Sequence, residues 1–420
     1  MTGGRQRRKR RLREARQTTA VVTHISSLPD DIVREIFLRL PSLATLVRAA
    51  CACRAWRRAV SSSLAFRCRF RALHQALLLG VFFDRERGDL PVFAPAKRRS
   101  DPDVLAALRG GDFCLTTLME EVDDKVPLGW RPVDCRDGYL VLVNSATASR
   151  NLIDVVNPLA RQRPEYIGMP TLDDDTALTA DLHLLSSDED PMSFRLVYLF
   201  HDMSRTRASR VRVAVFSSET WDWRVLPWVE LEHDDGANQW LQFGTQAKGL
   251  VCWGFTEQER MLTLDTKTMK FSVRELPPCP DPEPDDAFFR RLVVAGESKD
   301  GALCIVRVAA SGIYAWLWLI DDDCGGGDKW VLRNILKYTG VAAILHTTDV
   351  VAIRDGFVYL ATSDTVLSLC LETWKLEKLF SMGNYCEDFY PYFMAWPCSL
   401  VGNYGRFAVL QDQDGPSNDA

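Results

Sequence analysis

The sequence predicts a multidomain α+β protein in which a small unit of three helices precedes an all-β, propeller-like domain of about six blades. Three observations lead to this fold class. The chain has 420 residues, more than one ordinary domain uses. Apolar residues recur at helical spacing between residues 28 and 70. Short strand patterns then repeat at steps of 52 to 56 residues through most of the remaining chain.

The first helix of the small unit is predicted to begin at Pro29 and to end before Pro41. Proline suits the first turn of a helix, and the two acidic residues that follow favour its positive end. Leu38 falls on the opposite side of this helix from the other apolar residues. Those residues form a stripe about 140° wide. The stripe consists of Ile32, Val33, Ile36, Phe37 and Leu40.

Two further helices are predicted after Pro41. Ser42 is placed to cap the second helix, because its hydroxyl can accept a hydrogen bond from the first helical turn. Trp56 and Val60, four residues apart, form the apolar side of the third helix, and arginines lie on its other side. The apolar face of the second helix consists of Leu43, Leu46, Val47 and Ala50.

This small unit has more apolar residues than its own core can use. Fewer than about fifty residues seldom close a hydrophobic core alone, and apolar side chains remain after the three helices are packed together. A surplus of this kind indicates a surface that a partner covers. The alternative is a helical cap that packs on the downstream domain.

The order of residues in the unit resembles the F-box. Leu28-Pro29 stands at its start, Leu40-Pro41 ends its first helix, and a Cys-Arg-x-Trp-Arg cluster runs through Cys53–Arg57. Phe37, where the family more often has Leu, and the Ala-rich stretch AACA are mild departures in volume. The resemblance covers about one tenth of the chain.

The F-box resemblance implies that the unit binds a Skp-type adaptor and, through it, the cullin scaffold of an SCF ubiquitin ligase. Val47 and Trp56 can alternatively be core residues of the unit itself. Carried over by position, the residues that contact the adaptor are Leu28, Pro29, Ile32, Ile36, Leu40, Pro41, Leu46, Val47, Cys53 and Trp56.

Five strand segments downstream resemble one another, and their steps are 56, 55, 52 and 55 residues. A second series of hairpins, each with a polar turn and an aromatic residue in its second strand, interleaves with the first. Four short strands in each repeat of about 54 residues predict a propeller of about six blades. A pair of β-sandwiches is the structural alternative. The second residues of the five segments are Gly138, Phe194, Gly249, Gly301 and Gly356.

These repeats lack the recurring Trp-Asp pair and the paired glycines of the common propeller families. The arrangement resembles plant F-box proteins with an F-box-associated, propeller-like C-terminal domain. The predicted organisation is a basic, disordered tail (1–22), the F-box (23–70), the propeller-like domain that recognises a substrate (71–405) and a flexible tail (406–420).

Charge is distributed unevenly along the chain. Residues 1–100 carry 22 Lys and Arg against 7 Asp and Glu, and residues 101–420 carry a net charge of −20. The basic excess begins in the N-terminal tail, which is interpreted as a nuclear-localisation segment or as a solubilising tail. The predicted location is therefore the nucleus, the cytoplasm or both. The candidate nuclear-localisation residues are Arg7, Arg8, Lys9, Arg10 and Arg11.

No catalytic, metal or cofactor site is predicted. The six histidines show no metal-ligand spacing, and P-loop, G-x-S-x-G and H-E-x-x-H patterns are absent. No apolar run approaches the ~18 residues of a membrane span. The basic tail has no aromatic residues for stacking on bases, so specific nucleic-acid binding is not predicted.

Four acidic runs are interpreted as solvated loops rather than as cation ligands. They would surround the propeller with negative charge, which favours a basic partner. The runs are Leu172–Asp175, Ser186–Asp190, Asp281–Asp286 and Asp321–Asp323.

The sequence therefore predicts a non-enzymatic substrate-receptor subunit of an SCF-type ubiquitin ligase. On this interpretation the F-box binds the Skp-type adaptor, and the propeller holds an unidentified target protein. An F-box adaptor that acts outside the ligase in the nucleus is one alternative. A propeller hydrolase or a lectin-like domain with an incidental helical cap is the other.

Overall fold

The structure is a computed structural model, and the chain divides into two compact units. The helical unit holds residues 28–74 together with 400–401, and the strand unit lies within residues 75–398. The basic segment 7–11 and nearly all of the four acidic runs lie outside the described residues, so the predictions on them stay predictions. The structure describes residues 28–74, 76–84, 90–96, 102–120, 129–144, 152–160, 166–170, 178–186, 193–202, 209–231, 241–247, 249–255, 259–278, 293–299, 301–309, 312–319, 329–337, 349–362, 365–381, 389–397 and 400–401.

The helical unit contains the three predicted helices and a fourth. They are α1 (Asp30–Phe37), α2 (Leu43–Cys51), α3 (Arg54–Ser61) and α4 (Leu64–Leu73). The predicted cap of α2 is confirmed, because Ser42 Oγ accepts a hydrogen bond from Thr45 N at 3.2 Å. A fourth helix follows the three predicted ones within residues 28–74. Ser63 lies between α3 and α4 and caps α4, because its Oγ accepts a hydrogen bond from Phe66 N at 3.2 Å.

The fourth helix also corrects the position predicted for Leu38. Leu38 is buried although its place on α1 is opposite the apolar stripe. The reason is that α4 returns to this side of α1, where His74 Nε2 donates to the Leu38 carbonyl at 3.1 Å. The core of the unit is formed by Val33, Phe37, Leu38, Leu46, Ala50, Ala59, Val60, Phe66 and Phe70.

The second unit is built almost entirely of short antiparallel strands, with two short helices, α5 (Pro102–Gly110) and α6 (Thr116–Glu120). In chain order the strands are β1 (Leu78–Phe83), β2 (Val92–Pro95), β3 (Trp130–Arg136), β4 (Tyr139–Asn144), β5 (Leu152–Val156), β6 (Ile167–Gly168), β7 (Leu178–Ser186), β8 (Phe194–Asp202), β9 (Arg210–Ser217), β10 (Asp222–Val225), β11 (Val229–Glu230), β12 (Thr245–Ala247), β13 (Leu250–Gly254), β14 (Arg260–Asp265), β15 (Phe271–Glu275), β16 (Val293–Glu297), β17 (Leu303–Ala309), β18 (Gly312–Leu319), β19 (Lys329–Lys337), β20 (Asp349–Arg354), β21 (Phe357–Ala361), β22 (Thr365–Cys370), β23 (Leu376–Ser381) and β24 (Phe389–Phe393).

These strands form six separate sheets, which are the six blades of a β-propeller. Blade 1 is β3–β6, blade 2 is β7–β10 with β11 beside β9, blade 3 is β12–β15, blade 4 is β16–β19 and blade 5 is β20–β23. Blade 6 joins the two ends of the unit, because β24 pairs with β1 and β1 with β2. The C-terminal strand thus closes the ring against the N-terminal strands. The prediction of about six blades is confirmed, and the β-sandwich alternative is wrong.

The sequence repeats correspond to fixed positions within the blades. The five repeated segments are the second strands β4, β8, β13, β17 and β21, and the interleaved hairpins are the third and fourth strands. The turns that precede β4 and β21 require glycine, because Gly138 and Gly356 have φ values of 86° and 77°. These turns explain why Asp-Gly recurs at the repeat spacing.

Two tryptophans fasten the outer strands of neighbouring blades together. Trp223 Nε1 on β10 donates to the Gly168 carbonyl on β6 at 2.8 Å. Trp330 Nε1 on β19 donates to the Glu275 carbonyl on β15 at 2.9 Å. Trp223 therefore packs between blades, whereas Trp221 is exposed beside Phe216 of its own sheet.

The first strands of successive blades are joined by hydrogen bonds from backbone N–H groups to side chains. Asp134 Oδ2 on β3 accepts from Leu184 N on β7 at 2.7 Å. Thr245 Oγ1 on β12 accepts from Ala295 N on β16 at 3.0 Å. These bonds satisfy backbone donors along the inner strand edges.

His201 gives the propeller a defined sensitivity to acid. It is buried on β8, where Nε2 is 2.8 Å from Ser209 Oγ, and burial lowers the pKa of its imidazole from 6.5 to about 4, partly offset by Asp202. Because the folded chain binds the proton less tightly than the unfolded chain, stability falls as pH drops from 6.5 towards 4. The loss attributable to this group is about 3 kcal/mol, from ~1.36 kcal/mol per pKa unit.

We therefore expect His201→Gln to flatten the acid side of the stability profile. Urea unfolding of the wild type and the variant between pH 7 and pH 4 measures the difference directly. Other acid-titrating groups are common to both proteins and cancel. Parallel profiles for the two proteins would show that His201 takes up its proton in the folded state at its ordinary pKa.

Candidate functional site on the helical unit

Helix α1 carries two rows of apolar side chains, one buried and one exposed. Its first turn carries two aspartates, which suit the positive end of the helix dipole. Val33 and Phe37 are buried in the core of the unit. Ile32 and Ile36, one position earlier in each turn, are 44% and 42% exposed. Adjacent residues on a helix differ by about 100°, so one row is directed inward while the other remains outside.

The rotation of α1 about its axis is fixed by contacts on its inner side. The Phe37 ring meets the Trp56 ring edge to face, with centroids 5.6 Å apart. Arg34 Nε donates to the Ala59 carbonyl at 2.7 Å, near the C-terminal end of α3. Glu35 on α1 pairs with Arg69 on α4. These contacts hold Ile32 and Ile36 outside the core.

The exposed row defines a surface that we name the α1 apolar face, composed of Pro29, Ile32, Ile36 and Leu40. Ile32 and Ile36 are four residues apart and therefore neighbours on the helix surface. Burying a large aliphatic side chain is worth about 1.5–3 kcal/mol relative to leaving it in water. Covering the exposed isoleucine pair with an apolar surface would therefore be favourable.

Trp56 adds an unsatisfied polar group beside this helix. Its indole Nε1 is buried, and the part of the chain that the structure describes offers it no hydrogen-bond acceptor. A buried donor without a partner costs about 1–3 kcal/mol. An acceptor brought by a partner chain would remove that cost.

The predicted adaptor-contact residues fall into three classes of exposure. Only Leu46 is fully buried, at 0% exposure, because it lies between the helices of the unit. Its side chain has no surface to offer a partner, so it supports the fold of the unit and we leave it out of the contact surface. The exposed residues are Pro29, Ile32, Ile36 and Pro41, and the half-buried ones are Leu28, Leu40, Val47, Cys53 and Trp56.

The helical unit has a large excess of basic residues. Residues 28–74 contain nine arginines and no lysine against three acidic residues. A partner that covers the α1 apolar face would be favoured by acidic groups at the edge of its own binding surface. The arginines that are exposed are Arg39, Arg48, Arg54, Arg58 and Arg69.

Sequence reasoning missed the role of Arg34. It lies between the buried Val33 and Phe37, and its guanidinium bonds both the Ala59 carbonyl and Ser62 Oγ. This arginine ties α1 to the C-terminal end of α3. The position of Arg34 within the inward-facing stripe of α1 could have indicated this role.

Asp181 is the centre of a cluster of buried titratable side chains in the described part of the propeller. Asp181 Oδ2 accepts hydrogen bonds from His183 Nε2 at 2.9 Å, Gly244 N at 2.7 Å and Trp253 Nε1 at 2.8 Å. Burial opposes ionisation of Asp181, but the charge of His183 and these hydrogen bonds outweigh it and lower the pKa of the carboxyl. The cluster joins blades 2 and 3.

Burial and neighbouring charges also compete in setting the pKa values of His183 and Asp134. Burial disfavours the charged form of His183, but the charge of Asp181 and its hydrogen bond prevail and raise the pKa of the imidazole. Asp134 behaves differently, because burial outweighs the nearby His183 and raises the pKa of its carboxyl. These hydrogen bonds tie strands of neighbouring blades together.

The buried thiols are chemically quiet. Burial raises the pKa of Cys252 and of Cys304 to about 12, so neither forms a thiolate near neutral pH. Within the described ranges no three His, Cys, Asp or Glu side chains are grouped so as to hold a metal ion. No described helix has both the length and the apolar character needed to cross a membrane.

A four-helix N-terminal unit and a closed six-bladed ring place the chain in the class of proteins that join a small helical domain to a β-propeller. The family model "F-box-like" matches residues 25–72. The model "F-box protein AT5G49610-like, beta-propeller" matches residues 132–400, which is more than half of the chain. The chain therefore belongs to the family of F-box proteins with an AT5G49610-like β-propeller.

Comparison with solved structures finds distant likenesses. Apo AztD from Citrobacter koseri is 8% identical, with 61% of this chain and 73% of that chain covered and a TM-score of 0.34. A nidogen/laminin complex is 13% identical, with 63% and 84% covered and a TM-score of 0.33. Comparison with curated proteins finds no match.

Proposed function

We propose that this F-box protein is the substrate-receptor subunit of an SCF-type ubiquitin ligase. In this role the F-box binds a Skp-type adaptor, which links the chain to a cullin scaffold, and the propeller binds a target protein. The observation that carries the proposal is the outward row of α1: Ile32 and Ile36 are exposed on a helix whose inner row is sealed by Val33 and Phe37. A second polypeptide that binds the F-box would cover this exposed apolar row.

The proposed contact surface follows from the exposures. The α1 apolar face is its centre, and Leu28, Pro41 and Trp56 extend it at the ends of α1 and on α3. Trp56 Nε1 would gain an acceptor on binding, which removes the cost of its buried, unpaired N–H. The net positive charge of the unit favours an acidic adaptor surface.

The mechanism we propose needs no side-chain chemistry from this chain. A receptor raises the effective concentration of its target near a ubiquitin-conjugating enzyme held elsewhere on the scaffold. Positioning of this kind converts a bimolecular transfer into a nearly unimolecular one. The chain would thus act as a non-enzymatic adaptor.

Reconstitution of the complex tests this proposal. The full chain is mixed with a purified Skp-type adaptor and a cullin, and the mixture is resolved by size-exclusion chromatography. Co-elution of all three supports the ligase role. Co-elution of the adaptor without the cullin would instead favour an F-box adaptor that acts outside the ligase. Elution of the chain alone would overturn the proposal.

A further inference from the structure

A groove with a volume of about 420 Å³ opens between the outer parts of blades 2 and 3. Strands β8, β9 and β10 form one wall, and the turn between β14 and β15 forms the other. Its volume falls in the range of about 300–1,000 Å³ that is typical of binding sites. We name it the blade 2–3 groove and define it by Arg195, Val215, Arg224, Leu226, Lys267 and Met269.

The floor of the groove is apolar. Val215, Leu226 and Met269 are partly buried and lie at the edge of the hydrophobic cluster that joins blades 2 and 3. Val215 on β9 is the cross-strand partner of Arg224 on β10, so the floor and the wall belong to one face of the sheet. An apolar side chain inserted here would extend a core that already exists.

The walls of the groove carry three cations. Arg195 comes from β8 and is held in place by a hydrogen bond from its guanidinium to the Thr266 carbonyl at 3.0 Å. Arg224 on β10 and Lys267 in the facing turn are exposed. Asp222 is the one carboxylate that lines the groove, and its Oδ1 accepts from Trp223 N at 2.8 Å.

The charge of the groove lining is opposite in sign to the net charge of residues 101–420. Residues 101–420 carry a net charge of −20, yet the groove lining has three cations against one carboxylate. Positive side chains around an apolar floor complement a ligand that is acidic and has an apolar side chain. A small inorganic anion would use the walls and leave the floor uncovered.

We propose that the blade 2–3 groove docks an acidic peptide segment that carries Asp or Glu side chains beside at least one large apolar side chain. The inference rests on the proposed function only in treating that segment as part of a target protein. The peptide carboxylates would pair with Arg224 and Lys267, and the apolar side chain would lie on Val215, Leu226 and Met269.

Peptide arrays test the proposal on the full chain. One array holds short peptides in which Asp or Glu alternates with Leu, Ile or Phe, and a matched array replaces every acidic residue with Asn or Gln. We expect binding to the acidic array, with affinities for its best peptides reduced about tenfold by Arg224→Glu combined with Lys267→Glu. Both residues are exposed, and an unchanged melting temperature would show that the variant folds.

Arg333→Glu combined with Lys329→Glu is the matched control, because it makes the same charge change at two exposed residues of the outer strand β19 of blade 4. It should leave peptide binding unchanged. Equal binding to the two arrays, or equal affinity of the double variant and the wild type, would overturn the groove as a docking site. Adaptor capture, measured on the same variants, reports on the ligase role separately, because Arg224 and Lys267 belong to the propeller.

Discussion

Replacing Ile32 and Ile36 together with Asp should abolish capture of a Skp-type adaptor while leaving the chain as stable as the wild type. The two side chains are 44% and 42% exposed, so the free protein loses little core packing. A docked adaptor would instead have to bury two carboxylates in place of two aliphatic groups. Loss of about 1.5–3 kcal/mol per side chain predicts an affinity at least ~100-fold weaker. A binding titration against purified adaptor, with thermal unfolding beside it, measures both quantities.

Two controls separate binding from folding in that experiment. Leu64→Asp with Leu73→Asp makes the same change at two exposed leucines of α4 and should leave capture intact. Phe37→Ala removes a buried ring that packs on Trp56, and we expect it to destabilise the unit by about 3–5 kcal/mol. An Ile32/Ile36 variant that binds the adaptor as tightly as the wild type would exclude the α1 apolar face as the contact.

The propeller could be predicted from sequence because its information is local. Each blade repeats a hairpin whose turn needs particular residues, such as the Asp137-Gly138 and Asp355-Gly356 pairs with positive φ at both positions. The step between such turns sets the length of a blade, and the number of steps sets the number of blades. The ring is closed by β24 and β1, whose paired residues are about 310 positions apart in the chain. A pairing between such distant residues has no local sequence pattern that predicts it.

The sequence did not show which half of the apolar stripe on α1 is buried. Ile32 and Val33 lie within the same stripe, and their fates differ because α3 packs against one side of it. Leu46 illustrates the same limit, because its place in the motif suggested a contact while the packing of α2 encloses it. Helical periodicity identifies an apolar face but does not show what packs against it.

The charge composition of the sequence did not predict the blade 2–3 groove either. The acidic runs predict a basic partner, and they lie outside the described residues. Arg195, Arg224 and Lys267 are separated by up to 72 positions in the chain, and only the packing of two blades brings them to one groove. A net charge is a sum over the surface and cannot reveal a local reversal of sign.

Asp181→Ala should be among the most destabilising single substitutions in the propeller. It removes the shared acceptor of His183 Nε2, Gly244 N and Trp253 Nε1, which are all within 2.9 Å of one carboxylate oxygen. Removing one partner of a buried ion pair costs about 3–5 kcal/mol. The Asp181 side chain is still 19% exposed, and we therefore expect about 3 kcal/mol from urea unfolding of the full chain.

Two companion variants isolate the cause of that loss. Glu219→Ala removes an exposed carboxylate from a turn of the same blade and should change stability by less than about 0.5 kcal/mol. Asp181→Asn keeps an acceptor oxygen and removes the charge, so it should fall between the wild type and Asp181→Ala. A loss for Asp181→Ala no larger than that for Glu219→Ala would show that water satisfies all three donors.

The pH dependence of the Asp181→Ala effect distinguishes an ion pair from simple loss of packing. The pKa of Asp181 is lowered in the folded chain, so its contribution is complete above its ordinary value near 3.8 and is lost as pH falls through the folded pKa. The pKa of His183 is raised, so its contribution is complete below 6.5 and is lost as pH rises through the folded pKa. The difference in unfolding free energy between wild type and Asp181→Ala should therefore be greatest between about pH 4 and pH 6.5. A difference independent of pH would assign the whole effect to packing and neutral hydrogen bonds.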